Sequence, residues 1–205
     1  TTDRVDALRE RVPGVEFKLD PTQAWDDGLV ATLADTDRVR ILDLKGHYEG
    51  TDVDSPADPD LYKRIIEGFP EAIIEDPALT AETRPLFEDD AVRSRVSWDE
   101  PIESLADVRS LPWEPDWLNI KPSRFGSLES LLETLTYCEE QGIRCYGGGQ
   151  FELGVGRGQL QLLASLFYPD GPNDIAPRAY NEPAVGDALP TSPLSPPDSR
   201  GFRWA

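Results

Sequence analysis

The sequence predicts an α/β fold of the (β/α)8 TIM-type barrel, and three observations predict it. Short apolar runs alternate with helix-period segments along the chain, an alternation that requires a parallel sheet with helical crossovers. Polar or charged residues close most of these runs, at the carboxyl ends where parallel α/β folds gather their functional groups. Those strand-end residues, Lys18, Asp43, Glu75, Asp99, Lys121, Glu152 and Asp174, recur every 22 to 32 residues. One βα unit of a barrel of about 250 residues takes roughly 31.

Each element follows from its own signals. Thr1 to Val12 reads as an amphipathic helix with Val5, Leu8 and Val12 on one face, stopped by Pro13-Gly14. Val15 to Leu19 is a strand on which the period of two places Glu16 and Lys18 on one face. Asp26 to Ala34 is a helix, and Val39 to Leu42 a strand ending in Asp43-Leu44-Lys45-Gly46. Leu61 to Phe69 is a helix, Ala72 to Ile74 a strand, Arg95 to Trp98 a strand, and Ser104 to Leu111 helical. The richest stretch is Trp117 to Gly158. There the apolar run Trp117 to Ile120 ends at Lys121, Pro122 and Gly126 force a loop, and Ser127 is the expected N-cap of a helix carrying Leu128, Leu131, Leu132 and Leu135. Ile143 to Tyr146 is the next strand, closed by Gly147, Gly148 and Gly149 before a helix over Gln159 to Phe167. Asn173 to Pro177 is a strand stub, the seventh strand in order. Arg178 to Ala205, rich in proline, serine and aspartate, reads as an irregular tail packed on the surface. The expected organisation is one barrel domain over 1–177 and a tail over 178–205.

Composition limits the function. With 205 residues and 39% hydrophobic content, one sizeable core is the default. A formal charge of -19 repels nucleic-acid backbones and anionic membranes, so neither is an expected partner. The acidity resembles that of salt-adapted protein surfaces. No apolar run approaches the roughly 20 residues that span a bilayer, and no leader opens the chain, so the expectation is a cytoplasmic protein. Cys138 and Cys145 have no metal or disulfide spacing and read as buried free thiols. His47, the only histidine, reads as a surface or loop residue, and Trp25, Trp98 and Trp113 as packing residues.

The charged residues at strand ends carry the chemistry. Of 20 basic residues only Lys18, Lys45, Lys63 and Lys121 are lysines, and three of these stand in or just after strand runs. Lysine can surrender its proton where arginine cannot. Asp43, Glu75 and Asp99 end three successive strands, and carboxylates meeting in a small site repel one another unless a cation neutralises them. An oxygen-only donor set suits Mg²⁺. Glu75 and Asp76 are adjacent and cannot both face inward, so Glu75 is the expected donor and Asp76 is not. By the same alternation Trp98 points away from the face that Asp99 enters.

The runs IIEDP, DEPIES, NIKPSRFGS and YGGGQFELGVG together resemble the barrel domain of the enolase superfamily, closest to its muconate-lactonising and o-succinylbenzoate synthase branch, over about Val15 to Pro177. The resemblance implies an Mg²⁺ cofactor held by Asp43, Glu75 and Asp99, with Lys18 and Lys121 as the catalytic amines. It implies abstraction of the proton α to a carboxylate through an enediolate, as in cycloisomerases, dehydratases, racemases and epimerases. Lys45, Arg124, Gly148, Glu152 and Asp174 are the candidates for contact with a small-molecule carboxylate substrate. Lys45 departs from the family, which has Asn there, and Glu16 departs from a lysine. The resemblance also implies a first barrel strand and an N-terminal capping segment that this sequence lacks, which leaves seven strands of eight. A homo-oligomer stays open. Two other readings are a non-catalytic barrel relative and a phosphate- or nucleotide-binding α/β domain, although Gly154 to Gly158 fits neither common glycine-rich phosphate motif.

Overall fold

A computed structural model describes residues 2–150, 152, 154–182, 184–187 and 189. The chain divides into two compact units, Thr1–Pro101 and Ile102–Ala205. Most of the predicted tail, 191–205, lies outside the described residues.

The first unit is a run of βα units. Helix α1 (Thr2–Arg11) buries Val5 and Leu8 and precedes β1 (Phe17–Leu19). Helix α2 (Asp27–Ala34) starts where Asp26 accepts the Leu29 N–H at 2.8 Å, a cap worth about 1 kcal/mol. Strand β2 (Val39–Asp43), helix α3 (Pro59–Gly68), β3 (Ile73–Glu75), a short helix α4 (Asp90–Arg93) and β4 (Val96–Trp98) follow. The strands pair in parallel, β1 with β2, β2 with β3 and β3 with β4, so the crossover helices lie between consecutive neighbours. Ile41, Leu42, Ile74 and Val96 on the strands and Leu33, Leu61 and Ile65 on the helices form the buried core. The carboxyl end of α3 is satisfied by Arg95, whose guanidinium donates to the carbonyls of Phe69 at 2.7 Å, Ala72 at 3.2 Å and Ile66 at 3.3 Å. Last-turn carbonyls have no helical partner, and a cation there also suits the helix dipole.

The second unit holds α5 (Leu105–Ser110), β5 (Trp117–Ile120), α6 (Leu128–Gln141), β6 (Arg144–Gly147) and α7 (Val155–Phe167). Ser104 and Ser127 cap α5 and α6 by accepting the N–H groups of Asp107 and Ser130. Strands β5 and β6 pair in parallel from Trp117↔Arg144 to Ile120↔Gly147. The expected seventh strand is reduced to a single parallel bridge between Gly148 and Asp174. Cys138 is buried and Cys145 half-buried, both free thiols. No helix of the described residues is long and apolar enough to cross a membrane.

Three expectations change. Glu16 does not share a face with Lys18: the pairing of β1 slips between Phe17 and Lys18, and Glu16 is exposed in an ion pair with Arg40 at 2.8 Å. Helix α7 begins at Val155, four residues before the expected Gln159, because Gly156 and Gly158 are accommodated within its first turns. The stretch between β3 and β4 contains a 3-10 turn at Arg84–Phe87 as well as α4, neither of which the helix-period pattern marked.

Two glycines separate close approach from open space. A Cβ on Gly46 would lie 2.2 Å from the Ala78 backbone nitrogen, whereas one on Gly158 meets nothing within 4 Å. Gly46→Ala is therefore expected to lower unfolding stability by about 1–3 kcal/mol. Gly158→Ala, inside α7, is expected to raise it by about 0.4–1 kcal/mol. Urea denaturation of both variants checks this, and a neutral Gly46→Ala would show that the β2 and β3 loops are not held in contact.

Candidate active site

Strands β2 and β3 are in register with Asp43 opposite Glu75. This places two carboxylates side by side at the carboxyl ends of neighbouring strands. Asp43, Glu75, Asp76 and Asp99 are all fully buried in the first unit. Lys18, at 10% side-chain exposure, bridges two of them, with Nζ 2.6 Å from Glu75 Oε1 and 3.0 Å from Asp43 Oδ2. Lys45 Nζ also donates to Asp43 Oδ2, and its backbone N–H reaches Asp43 Oδ1 at 3.1 Å. Its next carboxylate neighbour among the described residues is Asp20, at 3.8 Å.

The two acids at the end of β3 divide as their alternation requires. Glu75 faces Lys18, while Asp76 turns to the backbone. Asp76 Oδ1 accepts the Asp99 N–H at 2.8 Å and Oδ2 accepts the Glu100 N–H at 2.9 Å. Asp76 and Lys45 have left-handed backbones, φ 47° and 53°, so the chain reverses sharply after both strands. The loop after β2 is pinned by Leu44 N–H to the Glu75 carbonyl at 2.9 Å and Gly46 N–H to the Asp76 carbonyl at 2.8 Å. Farther along the same loop stands Tyr48, whose hydroxyl donates to Asp99 Oδ2 at 3.1 Å.

Burial and charge set the protonation of this cluster. Burial alone would raise the Asp43 carboxyl, but the ammonium groups of Lys18 and Lys45 overcome it and bring the value down to about 2. Glu75 is pushed well above the ordinary range by burial, an effect that Lys18 opposes and Asp43, Asp99 and Asp76 reinforce. Asp76 rises to about 7, through burial and then repulsion from Asp99 and Asp43, despite the two N–H groups it accepts. His47 lies in the loop after β2 but not on the surface: it is half-buried against Trp98, with ring centroids 5.6 Å apart. Burial holds its imidazole below the usual value.

The second unit places the remaining candidates. Lys121 is buried at the end of β5, and its carbonyl accepts the Arg124 N–H at 2.9 Å. Gly148 donates to the Ile120 carbonyl at 3.0 Å, and a Cβ there would lie 2.2 Å from Asn119 Oδ1, so a larger residue would have to displace the Asn119 side chain. Asp174 N–H donates to the Gly147 carbonyl at 2.8 Å. Glu152 Oε1 accepts from the Ser123 hydroxyl and the Gln150 N–H, each at 3.0 Å. Its Oε2 is buried without a hydrogen-bond partner among the described residues. Burial would raise the Glu152 carboxyl, but these donors and the charge of Arg157 hold it lower.

Sequence reasoning misses Tyr48, Asp76 and Asp20 as members of the first cluster. Asp76 is visible only as the rejected neighbour of Glu75, Asp20 directly follows the predicted strand but is passed over for Lys18, and nothing in the pattern around Tyr48 marks a strand end. Among the described residues no three His, Cys, Asp or Glu side chains are already arranged to hold a metal ion. The chemistry of the donor set nevertheless fits a hard cation: Asp43, Glu75, Asp76 and Asp99 are fully buried, Lys18 and Lys45 meet them at Asp43 and Glu75, and every acidic group offers oxygen.

The family model described as "Domain of unknown function (DUF8230) C-terminal domain" matches residues 1–182. The o-succinylbenzoate synthase of Bacillus subtilis (strain 168) is 33% identical over 114 residues, which are 50% of this chain and 31% of that protein. A probable mandelate racemase from Alicyclobacillus acidocaldarius superposes with a TM-score of 0.65 at 21% identity, covering 88% of this chain and 48% of the other. The dipeptide epimerase from Methylococcus capsulatus, complexed with Mg and the dipeptide L-Arg-D-Lys, superposes with a TM-score of 0.53 at 20% identity, covering 78% of this chain and 46% of the other. The chain thus spans about a third of that curated relative and under half of both solved chains.

The depressed Asp43 value has a definite sign. Its folded-state value lies below the ordinary 3.8, so its contribution to stability is present above pH 3.8 and is lost as pH falls through about 2. Asp43→Asn is expected to destabilise the protein near neutral pH by about 3 kcal/mol. The gap to the parent should then close between about pH 4 and pH 2. Chemical denaturation of both proteins across that range checks it; a gap independent of pH would mean that the Asp43 charge is not what the two lysines stabilise.

Proposed function

Since the chain belongs to the family described as the C-terminal domain of DUF8230 and has the enolase-superfamily barrel fold, we propose that it removes the proton α to a carboxylate in a small-molecule substrate. The observation that carries this reading is Lys18, an amine held against two fully buried carboxylates at the ends of adjacent parallel strands. The enzymatic outcome is of the lyase or isomerase kind: cycloisomerisation, dehydration, racemisation or epimerisation.

Asp43, Glu75 and Asp99 would hold Mg²⁺. When bound, the cation supplies positive charge that stabilises the negative charge developing on the substrate carboxylate in the transition state. Lys18 in its neutral form takes the proton from carbon, and the C–H electron pair passes into the carboxylate-conjugated system. Lys121, buried at the end of β5, is kept as a second proton carrier on the strength of the sequence motif around it. Asp76 acts through the backbone: by accepting the Asp99 and Glu100 N–H groups it fixes the turn that carries Asp99. Arg124, Gly148, Glu152 and Asp174 are proposed for substrate contact, and a capping segment outside these residues for choosing the substrate.

Deuterium exchange at the α-carbon of candidate carboxylic acids, with Mg²⁺ present, tests the assignment. The parent protein is expected to wash deuterium into an accepted acid, and Lys18→Met to slow this by about 10²- to 10⁴-fold. Exchange that is unaffected by the substitution would remove Lys18 from the role, and no exchange with any acid would favour a non-catalytic barrel relative.

A further inference from the structure

The loop that follows β2 brings its own cation to the carboxylates. Both oxygens of Asp43 are engaged by the chain itself: Oδ1 by the Lys45 N–H at 3.1 Å, and Oδ2 by the Nζ atoms of Lys18, at 3.0 Å, and Lys45. Lys18 has a second, shorter contact to Glu75 at 2.6 Å, so it keeps a buried partner if it leaves Asp43. Lys45 has no equally close second carboxylate among the described residues, since Asp20 lies at 3.8 Å with its side chain 57% exposed. The loop backbone is pinned through Leu44 and Gly46 to the carbonyls of Glu75 and Asp76. Release of Asp43 by Lys45 is therefore a side-chain movement, which leaves the loop in place.

We propose that Lys45 is a built-in competitor for the divalent cation, its ammonium occupying the Asp43 oxygen that a metal ion would need. This rests on the reading of Asp43 as a cation ligand. Tyr48, on the same loop, occupies Asp99 Oδ2 by its hydroxyl at 3.1 Å, so one segment covers two of the carboxylates assigned to the metal. A cation binds only by displacing a charge that the chain supplies, and the site accordingly fills only at higher cation concentration than its carboxylates alone would require.

Mg²⁺ titration by calorimetry at near-neutral pH and fixed ionic strength tests this on the parent protein, Lys45→Asn and Lys63→Asn. Asparagine tolerates the left-handed backbone at position 45. Lys45→Gln provides a second variant if folding of the first is impaired. Lys63 lies exposed on α3 beside Glu67 and controls for a general change of charge. The expected result is Mg²⁺ affinity about 5- to 150-fold higher in the Lys45 variants, with Lys63→Asn unchanged. Equal binding in parent and Lys45 variants would overturn the competition and leave the Mg²⁺ reading standing. Equal tightening in the Lys63 variant would overturn it as a general charge effect. If neither the parent nor the Lys45 variants bind Mg²⁺, the metal reading fails and the competition fails with it.

Discussion

Four carboxylates with no exposure to solvent sit at the ends of three neighbouring strands, and the first unit is built around neutralising them. An isolated carboxylate in a low-dielectric interior is far more costly than the net stability of a domain allows, so each must find partners. Asp43 and Glu75 share Lys18, Asp43 also takes Lys45, Asp76 takes two backbone N–H groups, and Asp99 takes the Tyr48 hydroxyl. The parallel register of β2 with β3 makes the sharing geometrically available, because it sets Asp43 opposite Glu75. Left-handed turns at Lys45 and Asp76 then keep the partners close to the strands that bear the acids.

The partners are unequal, and this gives the residues different characters. Asp43, with two ammonium groups, is held ionised to low pH, whereas Glu75 and Asp76 are pushed upward by burial and by neighbouring carboxylates, Asp43 and Asp99 among them. A cluster of buried acids is poor design for stability alone, since an apolar replacement of similar volume is often neutral or stabilising. Buried groups with shifted protonation gather at functional sites. This is why the cluster, and not the alternation of strands and helices, carries the functional reading.

Much of this was legible in the sequence because it is local. The strand runs are short and apolar, the caps Asp26, Ser104 and Ser127 precede helical periodicity, and each signal operates within a few residues. Lys18, Asp43 and Glu75 were identifiable as strand-end charges, and the structure brings those three together. What depends on pairing between distant segments was hidden. The slip of β1 that turns Glu16 to Arg40 is decided by β2, and the capture of Asp99 by Tyr48 joins residues 51 positions apart. The turns between β3 and β4 are too short to show a helical period, and the single bridge at Asp174 is too short to show a strand pattern.

The choice of lysine over arginine at positions 18 and 45 follows from the same constraint. A guanidinium is a planar fork that matches a row of carbonyls, and Arg95 uses it so on the end of α3. An ammonium is a compact charge whose donors can point to separate acceptors, and Lys18 uses it to join two carboxylates on different strands. The flexible stem of lysine also lets the charge leave one oxygen for another without moving the backbone, which a rigid fork bound to two oxygens does less readily. In a chain where arginine supplies most of the positive charge, Lys18 and Lys45 stand where a compact charge has to meet buried carboxylates.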